Sequence, residues 1–314
     1  MTTWILEYVE QNTAGSPTDE TIKWTHLRPC EIQVHLQKSY QEEVQTNCIK
    51  RILYLKGYRK RKPAKQVATG ESPDRSEQFR IISFLMNLFL LMAENPIISI
   101  DTKKKEVLGN FTRDEKVLTK GEQAVPTLDH DYPYLGNGKA IPHGIYDLRL
   151  NEGYLSIGNS HETAEFVVDN LEWWWETVGQ YEYRKATRIL ILCDSGGANG
   201  YRHHLFKKCL QELARKIGKK LVICHYPPYC SKYNPIERRL FAQVHRTIKE
   251  TILTDLEQVK KLMEKTATKT GLSVEVRIND KNYPLKQPSL AEEVDEKRIL
   301  RHPTLPKLSY TILP

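Results

Sequence analysis

"RILILCDSGGANG", residues 188–200, decides the fold. Ile189 to Cys193 are apolar without a break, so the segment has no polar face. Such a run is a strand covered on both sides, as the inner strands of an α/β sheet are. Asp194 closes it, and a Gly-rich turn follows in which backbone can approach a phosphate closely. Downstream, "YRHHLFKKCLQELARKIG" (201–218) has the spacing of an amphipathic helix ended by Gly218, and "KKLVICHY" (219–226) is a second apolar strand. Strand, helix, strand predicts a right-handed parallel crossover.

Upstream, "IISIDTK" (97–103) is β-rich, and a polar insertion (104–143) separates it from "GIYDLRL" (144–150) and "GYLSIGN" (153–159). The last two alternate and flank Asn151-Glu152, the pattern of a hairpin. "HETAEFVVDNLEWWWETVG" (161–179) reads as a helix rich in large apolar side chains. From residue 97 the order is therefore β-β-β-α-β-α-β-α, with the first three strands antiparallel. This predicts an α/β mixed sheet of the ribonuclease H-like kind, by fold-level pattern.

In that arrangement Asp101 lies on the first, central strand, Asp194 closes the fourth, and Glu237 opens the helix after the fifth. Adjacent parallel strands bring their carboxyl ends together. Three carboxylates meeting there repel one another unless a cation sits among them. Oxygen-only ligation suits Mg²⁺ or Mn²⁺, and two such ions, roughly 3.5–4 Å apart, can clamp the attacking and leaving oxygens of a phosphodiester displacement. Glu237 has a competing explanation. In "SKYNPIERRLF" (231–241) Asn234 suits an N-cap, Pro235 the first helical position, and Glu237 then completes a capping box. Lys103, Lys104 and Lys105 follow Asp101 and are placed to meet a DNA backbone; a solvated strand end accounts for them equally.

A net charge of +8 and a pI near 9.0 suggest an anionic partner, of which nucleic acid is the commonest. The 314 residues allow one substantial core with a small extra domain, or two domains. Cys30, Cys48, Cys193, Cys209, Cys224 and Cys230 form no CxxC pair, and no signal peptide opens the chain, which suggests reduced thiols in a cytosolic protein. Cys224, His225 and Cys230 lack the second half of a zinc site. "IISFLMNLFLLMA" (81–93) is too short to span a bilayer and reads as a buried helix. Near the N-terminus "RPCEIQVHLQKSY" and "VQTNCIKRILYLKGYRKRKPAK" read as two amphipathic helices, the second capped by Thr46 or Asn47. The basic run Arg59, Lys60, Arg61, Lys62 and Lys65 follows. Helix, turn, helix and basic tail match either a helix-turn-helix DNA-binding unit or a plain helical hairpin. The expected organisation is a small helical region (1–64), a polar linker (65–78) and an α/β domain (79–314).

"ISIDTKKKEVLGNF", "GKAIPHGIYDLRLNEGYLSIG", "HETAEF", "RILILCDSGGANGYRHHL", "CHYPPYCSKYNPIERRLF" and "TKTGLSVEV" together resemble the Rhodopirellula-type DDE transposases of bacterial insertion sequences, distant relatives of mariner-like enzymes. The similarity runs from about Leu6 to Ile312. It implies a catalytic triad of Asp101, Asp194 and Glu237 holding two Mg²⁺ or Mn²⁺ ions, with Glu237 both starting its helix and facing metal. It implies cleavage at element ends and transfer of the freed 3′-OH into target DNA, without a covalent enzyme–DNA intermediate. His225 and Asn234 match positions beside the triad and would orient it; His161 also matches. The resemblance favours DNA binding by residues 28–62 and puts residues 266–312 at the catalytic domain's margin. Double-stranded DNA partners, a homo-oligomer on DNA, no membrane, and a cytoplasmic, nucleoid-associated location follow from it. Two departures stand out: Ser195 occupies a usual glycine position, and a further N-terminal helix-turn-helix segment of the family is missing. A truncated, inactive DNA-binding relic or inhibitor is therefore the rival, together with a nuclease that cuts without joining.

Overall fold

The computed structural model describes residues 1–16, 19–60, 74–111, 126–128, 132–285 and 293–314. The chain divides into two units, 1–67 and 68–314. Within the first, α1 (Thr2–Gln11) precedes a small hairpin of β1 (Thr13–Ser16) and β2 (Asp19–Thr25), then α2 (Pro29–Tyr40) and α3 (Thr46–Leu55). Sequence pattern had suggested no element before residue 28. Yet Ile5 and Val9 of α1 share a core with Ile32 and Leu36 of α2 and Ile49 of α3. Trp4 stacks on Tyr40 at 4.3 Å and Tyr8 on His35 at 3.6 Å. The two expected helices are α2 and α3. Gln45, rather than Thr46 or Asn47, holds the N-cap position of α3, without a side-chain cap bond.

In the second unit α4 (Arg75–Leu91) leads into β3 (Ile97–Thr102) and the short β4 (Glu106–Val107). Next come β5 (Lys139–Asp147), β6 (Glu152–Gly158) and α5 (Ala164–Trp174). A π-helical stretch (Trp175–Gly179) carries α5 into the single turn α6 (Gln180–Glu182). The alternation continues with β7 (Arg188–Cys193), α7 (His204–Ile217) and β8 (Lys220–His225). A second π-helical stretch (Glu237–Phe241) opens α8 (Ala242–Ile248), and α9 (Leu256–Glu264), β9 (Ser273–Asn279), β10 (Ile299–Arg301) and β11 (Ser309–Ile312) complete the chain. The strands lie in the order β10-β11-β8-β7-β3-β5-β6-β9, with β4 beside β5. Strand β5 is antiparallel to its neighbours β3 and β6, while β7 runs parallel to both β3 and β8. This is the ribonuclease H-like sheet that the element order predicts.

The continuous apolar runs divide between two faces. Ile98, Ile100, Ile189, Ile191 and Ile223 pack under α5 and α7. Ile97, Leu190, Leu192 and Cys224 face the other way, toward Ile81, Ile82 and Phe89 of α4. Helix α4 is buried on one face only: Phe84, Leu90 and Leu91 are exposed, contrary to the fully buried helix expected from its composition. Among the described residues no helix is long and apolar enough to cross a membrane.

Two differences from the sequence-based expectation have local causes. Strand β5 ends at Asp147, not at residue 150, because the buried Asp147 carboxylate accepts from Arg149 N (2.8 Å) and Leu150 N (3.1 Å) and so closes the turn. The C-terminal segment forms both margins of the sheet: β9 pairs in parallel with β6, and β11 antiparallel with β8. A close approach sets the helix that follows Glu237. Leu240 lies over Gly153 and Phe241 over Gly144; a Cβ at Gly144 would stand 2.6 Å from the Phe241 ring, and one at Gly153 nearer still to Leu240. Gly153→Ala should therefore destabilise the protein by about 1–3 kcal/mol through overpacking. Urea unfolding checks this, and an unchanged midpoint would mean that Leu240 can step aside.

Candidate active site

Parallel pairing of β3 with β7 sets Ser99 opposite Leu192, so the two strands reach their carboxyl ends side by side. Asp101 stands on the end of β3, and Asp194 follows the last residue of β7. Glu237 begins the π-helical stretch, whose i to i+5 bond runs from Ala242 N to Glu237 O. Such widened turns recur at functional sites. Asp101 is within electrostatic reach of Asp194 and Glu237, and Asp194 of Glu237. Burial, then the Asp194 charge, push the Asp101 carboxyl up to about 8, so that it holds a proton at neutral pH. Burial pushes Asp194 up to about 6, against the hydrogen bond from Asn234.

Asn234 does not cap its helix in the way its sequence position suggests. Its Nδ2 donates to Ile100 O (3.1 Å) and Asp194 Oδ1 (3.3 Å), and its Oδ1 accepts from Ser99 Oγ. Ser99 Oγ in turn accepts from Ile236 N at 3.1 Å. The N-terminal N–H of the Glu237 helix is thus capped by a hydroxyl from β3, two residues before Asp101. Ser99 was missed from sequence. Its one signal is a lone polar residue within "IISI", on the same strand face as Asp101.

His225, at the end of β8, is fully buried, and burial lowers its pKa to about 4, which keeps it neutral. Its Nδ1–H donates to Asp194 O (2.9 Å), a tautomer inferred from that carbonyl partner, and its Nε2 accepts from Tyr310 OH (3.1 Å). Gln78 of α4 donates to the His225 carbonyl at 2.7 Å. A cleft of about 630 Å³ lined by Leu108, Lys139, Asn159, Asp255 and Ile278 contains none of the three acids, so convergence of carboxylates marks this site and enclosure does not.

The family described as "Rhodopirellula transposase DDE domain" matches residues 5–314. The chain belongs to that family. It is a DDE transposase, a polynucleotidyl transferase that acts on DNA and works with a divalent metal ion. Its fold is similar to that of Mos1 transposase in three solved complexes. The paired-end complex with the left transposon end is 14% identical, covers 83% of this chain and 69% of that one, and gives a TM-score of 0.46. The paired-end complex with Mn is 16% identical over 79% and 71%, with a TM-score of 0.43. The complex with Mg is 15% identical over 75% and 69%, also at 0.43. At these identities the likeness concerns the fold alone. No curated protein matches the chain.

The other residues singled out in this transposase fall in different places. Lys103 turns inward, buried and ion-paired with Glu106, so it does not extend to a phosphate as expected; the three-lysine group reduces to exposed Lys104 and Lys105. Lys105 pairs with Glu162 at 3.4 Å. Arg59 lies over the Tyr54 ring, 3.4 Å from its centre, and Lys60 is exposed; Arg61 and Lys62 lie outside the described residues. His161 has its Nδ1 3.1 Å from Tyr283 O. Ser195 donates its hydroxyl to Tyr226 O, tying the turn after β7 to the segment after β8.

Among the described residues no three His, Cys, Asp or Glu side chains already surround one ion position. The donor set still fits a hard cation. It is all oxygen, and Asp101 keeps a proton because burial and, next, the Asp194 carboxylate disfavour its charge. A pH dependence follows. Unfolded carboxyls titrate near 4, whereas Asp101 and Asp194 titrate at about 8 and about 6. Between those limits the folded chain binds more protons than the unfolded one, so metal-free stability falls as pH rises from about 4 through about 8. Mg²⁺ or Mn²⁺ should therefore raise Tm more at pH 8 than at pH 5, where protons compete for the ligands. Equal gains at both pH values would count against metal binding by these acids.

Proposed function

We propose that Asp101, Asp194 and Glu237 are the catalytic acids of this transposase. They hold two Mg²⁺ or Mn²⁺ ions, while the chain cuts at the ends of an insertion element and joins the freed 3′ ends to target DNA. The observation that carries this is the convergence of three carboxylates, with Asp101 driven to protonation by burial and then by the charge of Asp194. Divalent ions at such a site would supply charge neutralisation at the attacking and leaving oxygens.

The chain's own residues set the geometry. Thr102 N–H donates to Asp101 Oδ1 at 2.8 Å and fixes that carboxyl. Asn234 fixes Asp194 from its side chain, and His225 holds the Asp194 carbonyl. Ser99 seats the helix that carries Glu237. Lys104, Lys105, Lys60 and Arg59, with Arg61 and Lys62, make salt-sensitive contacts to phosphates. The enzyme acts in the cell compartment that holds the DNA, as a homo-oligomer that brings two element ends together.

Strand cleavage and joining on DNA carrying the repeats that flank the reading frame test the proposal. Glu237→Gln, Asp101→Asn and Asp194→Asn should each lower metal-dependent cleavage by at least about 100-fold while leaving DNA binding intact, since loss of a mere supporting partner already costs 10–100-fold. Asn234→Ala should fall within that smaller range. Full activity in Glu237→Gln would return Glu237 to a helix-starting residue. DNA binding by the wild type without any cleavage would identify a relic.

A further inference from the structure

Residues 226–234 arch between two points fixed at the acids. At one end Tyr226 N donates to Cys193 O at 2.8 Å, and Ser195 holds the Tyr226 carbonyl. At the other, Asn234 holds Asp194. Both limbs are pinned. Tyr226 and Cys230 are buried, and Phe79 meets the rings of Tyr226 and Tyr233 edge-on at 6.0 and 5.1 Å. The apex, Tyr229, is different. It is 68% exposed, and among the described residues no hydrogen bond or ring contact engages its side chain.

Its backbone sits at φ +63°. Two other described non-glycine residues share a positive φ: Gln41, which ends a helix, and Asn151, whose short polar side chain suits a hairpin turn. Tyr229 is the bulky one. Glycine would make the same turn without crowding between Cβ and carbonyl. Neither packing nor turn geometry accounts for an aromatic ring at this position. Three residues from Tyr226, the apex lies within about 10 Å of an anchor beside the acids. Exposed cations accompany the arch: Lys232, 5.2 Å from the Tyr233 ring centre, and Arg238, which follows Glu237 directly and acts electrostatically on Tyr226. A free aromatic face among cations is the combination by which proteins hold unpaired nucleotides, the ring stacking on a base and the cations meeting phosphates.

We propose that Tyr229 is a stacking platform for an unpaired nucleobase beside the phosphate that is cut or joined, with Lys232 and Arg238 on the adjoining phosphates. This rests on the catalytic assignment above and names a part of the DNA that the site takes. A base within an intact duplex stack cannot offer its face, so the platform engages DNA opened at the cut.

The test uses the full chain and an already cut duplex from the ends flanking its reading frame, with an unpaired 2-aminopurine at the nucleotide next to the cut. Ca²⁺ replaces Mg²⁺ during binding so that no joining follows, and cleavage of the uncut duplex is measured separately in Mg²⁺. Wild type and Tyr229→Phe should quench the fluorescent base. Tyr229→Ala and Tyr229→Gly should lose the quench and bind about tenfold more weakly. The Tm of Tyr229→Gly should equal or exceed that of wild type, because its backbone is relieved; this separates the platform from a structural role. Retained quenching and affinity in the Ala and Gly variants would overturn the proposal. So would loss of quenching in the Phe variant, which would assign the role to the hydroxyl, or weaker self-association with unchanged fluorescence, which would assign the ring to a protein contact. A wild type that cleaves in Mg²⁺ while its fluorescence ignores Tyr229 sinks this inference alone. A wild type that never cleaves sinks the catalytic assignment and this inference with it.

Discussion

Everything in the larger unit answers to one constraint, the mutual repulsion of three carboxylates held at two neighbouring strand ends and the start of one helix. Two like charges at about 4 Å cost about 4 kcal/mol at an effective dielectric near 20, whereas one buried hydrogen bond contributes only about 1 kcal/mol. No single contact can hold the acids together. The restraint has to come from the sheet, where Asp101 and Asp194 are carried by paired strands whose residues are buried on both faces. What remains of the repulsion appears as the proton on Asp101, and a divalent cation relieves the same tension.

Glu237 belongs to no strand, so its placement needs separate devices. The Ser99 hydroxyl caps its helix from β3, which makes the positions of Asp101 and Glu237 consequences of one strand. Asn234 extends the junction to Asp194. Gly144 and Gly153 then let Phe241 and Leu240 come down onto β5 and β6, and the π-helical turn sets Glu237 at the start of the segment that carries both. Each device acts on the angle and height of one helix end. Small apolar and hydroxyl residues therefore matter as much to this site as the acids do.

Sequence pattern reveals the parts that rest on local periodicity and hides those that rest on distant partners. Strand β7 is legible because a strand covered on both faces has no polar position to confuse it. Asp101 and Asp194 are legible because they end such runs. Asn234 misleads: its type and place fit an N-cap, and only the fold shows that its side chain is taken by Ile100, Asp194 and Ser99. Lys103 misleads likewise, since a Lys-Lys-Lys run reads as solvated while one member is turned inward to Glu106. Strands β9 and β11 pair with β6 and β8 far back along the chain, and the three-residue β10 pairs only with β11, so no local signal announces them. In the N-terminal unit, α1 stays hidden because its apolar residues make sense only against α2 and α3.

Ser195 shows how a side chain fits the tight turn beside Asp194. In the turn after Asp194 the left-handed conformation falls on Gly197, at φ +69°, and Ser195 is not among the residues with positive φ. A side chain at position 195 therefore meets no backbone penalty. Its hydroxyl occupies the Tyr226 carbonyl, at the foot of the arch that ends in Asn234. Glycine there would leave that carbonyl to another donor and the arch with one anchor fewer. The Ser195 hydroxyl thus strengthens the link between the strand that leads to Asp194 and the loop leading to Glu237, which are the two elements that must keep a fixed separation when charge at the acids changes.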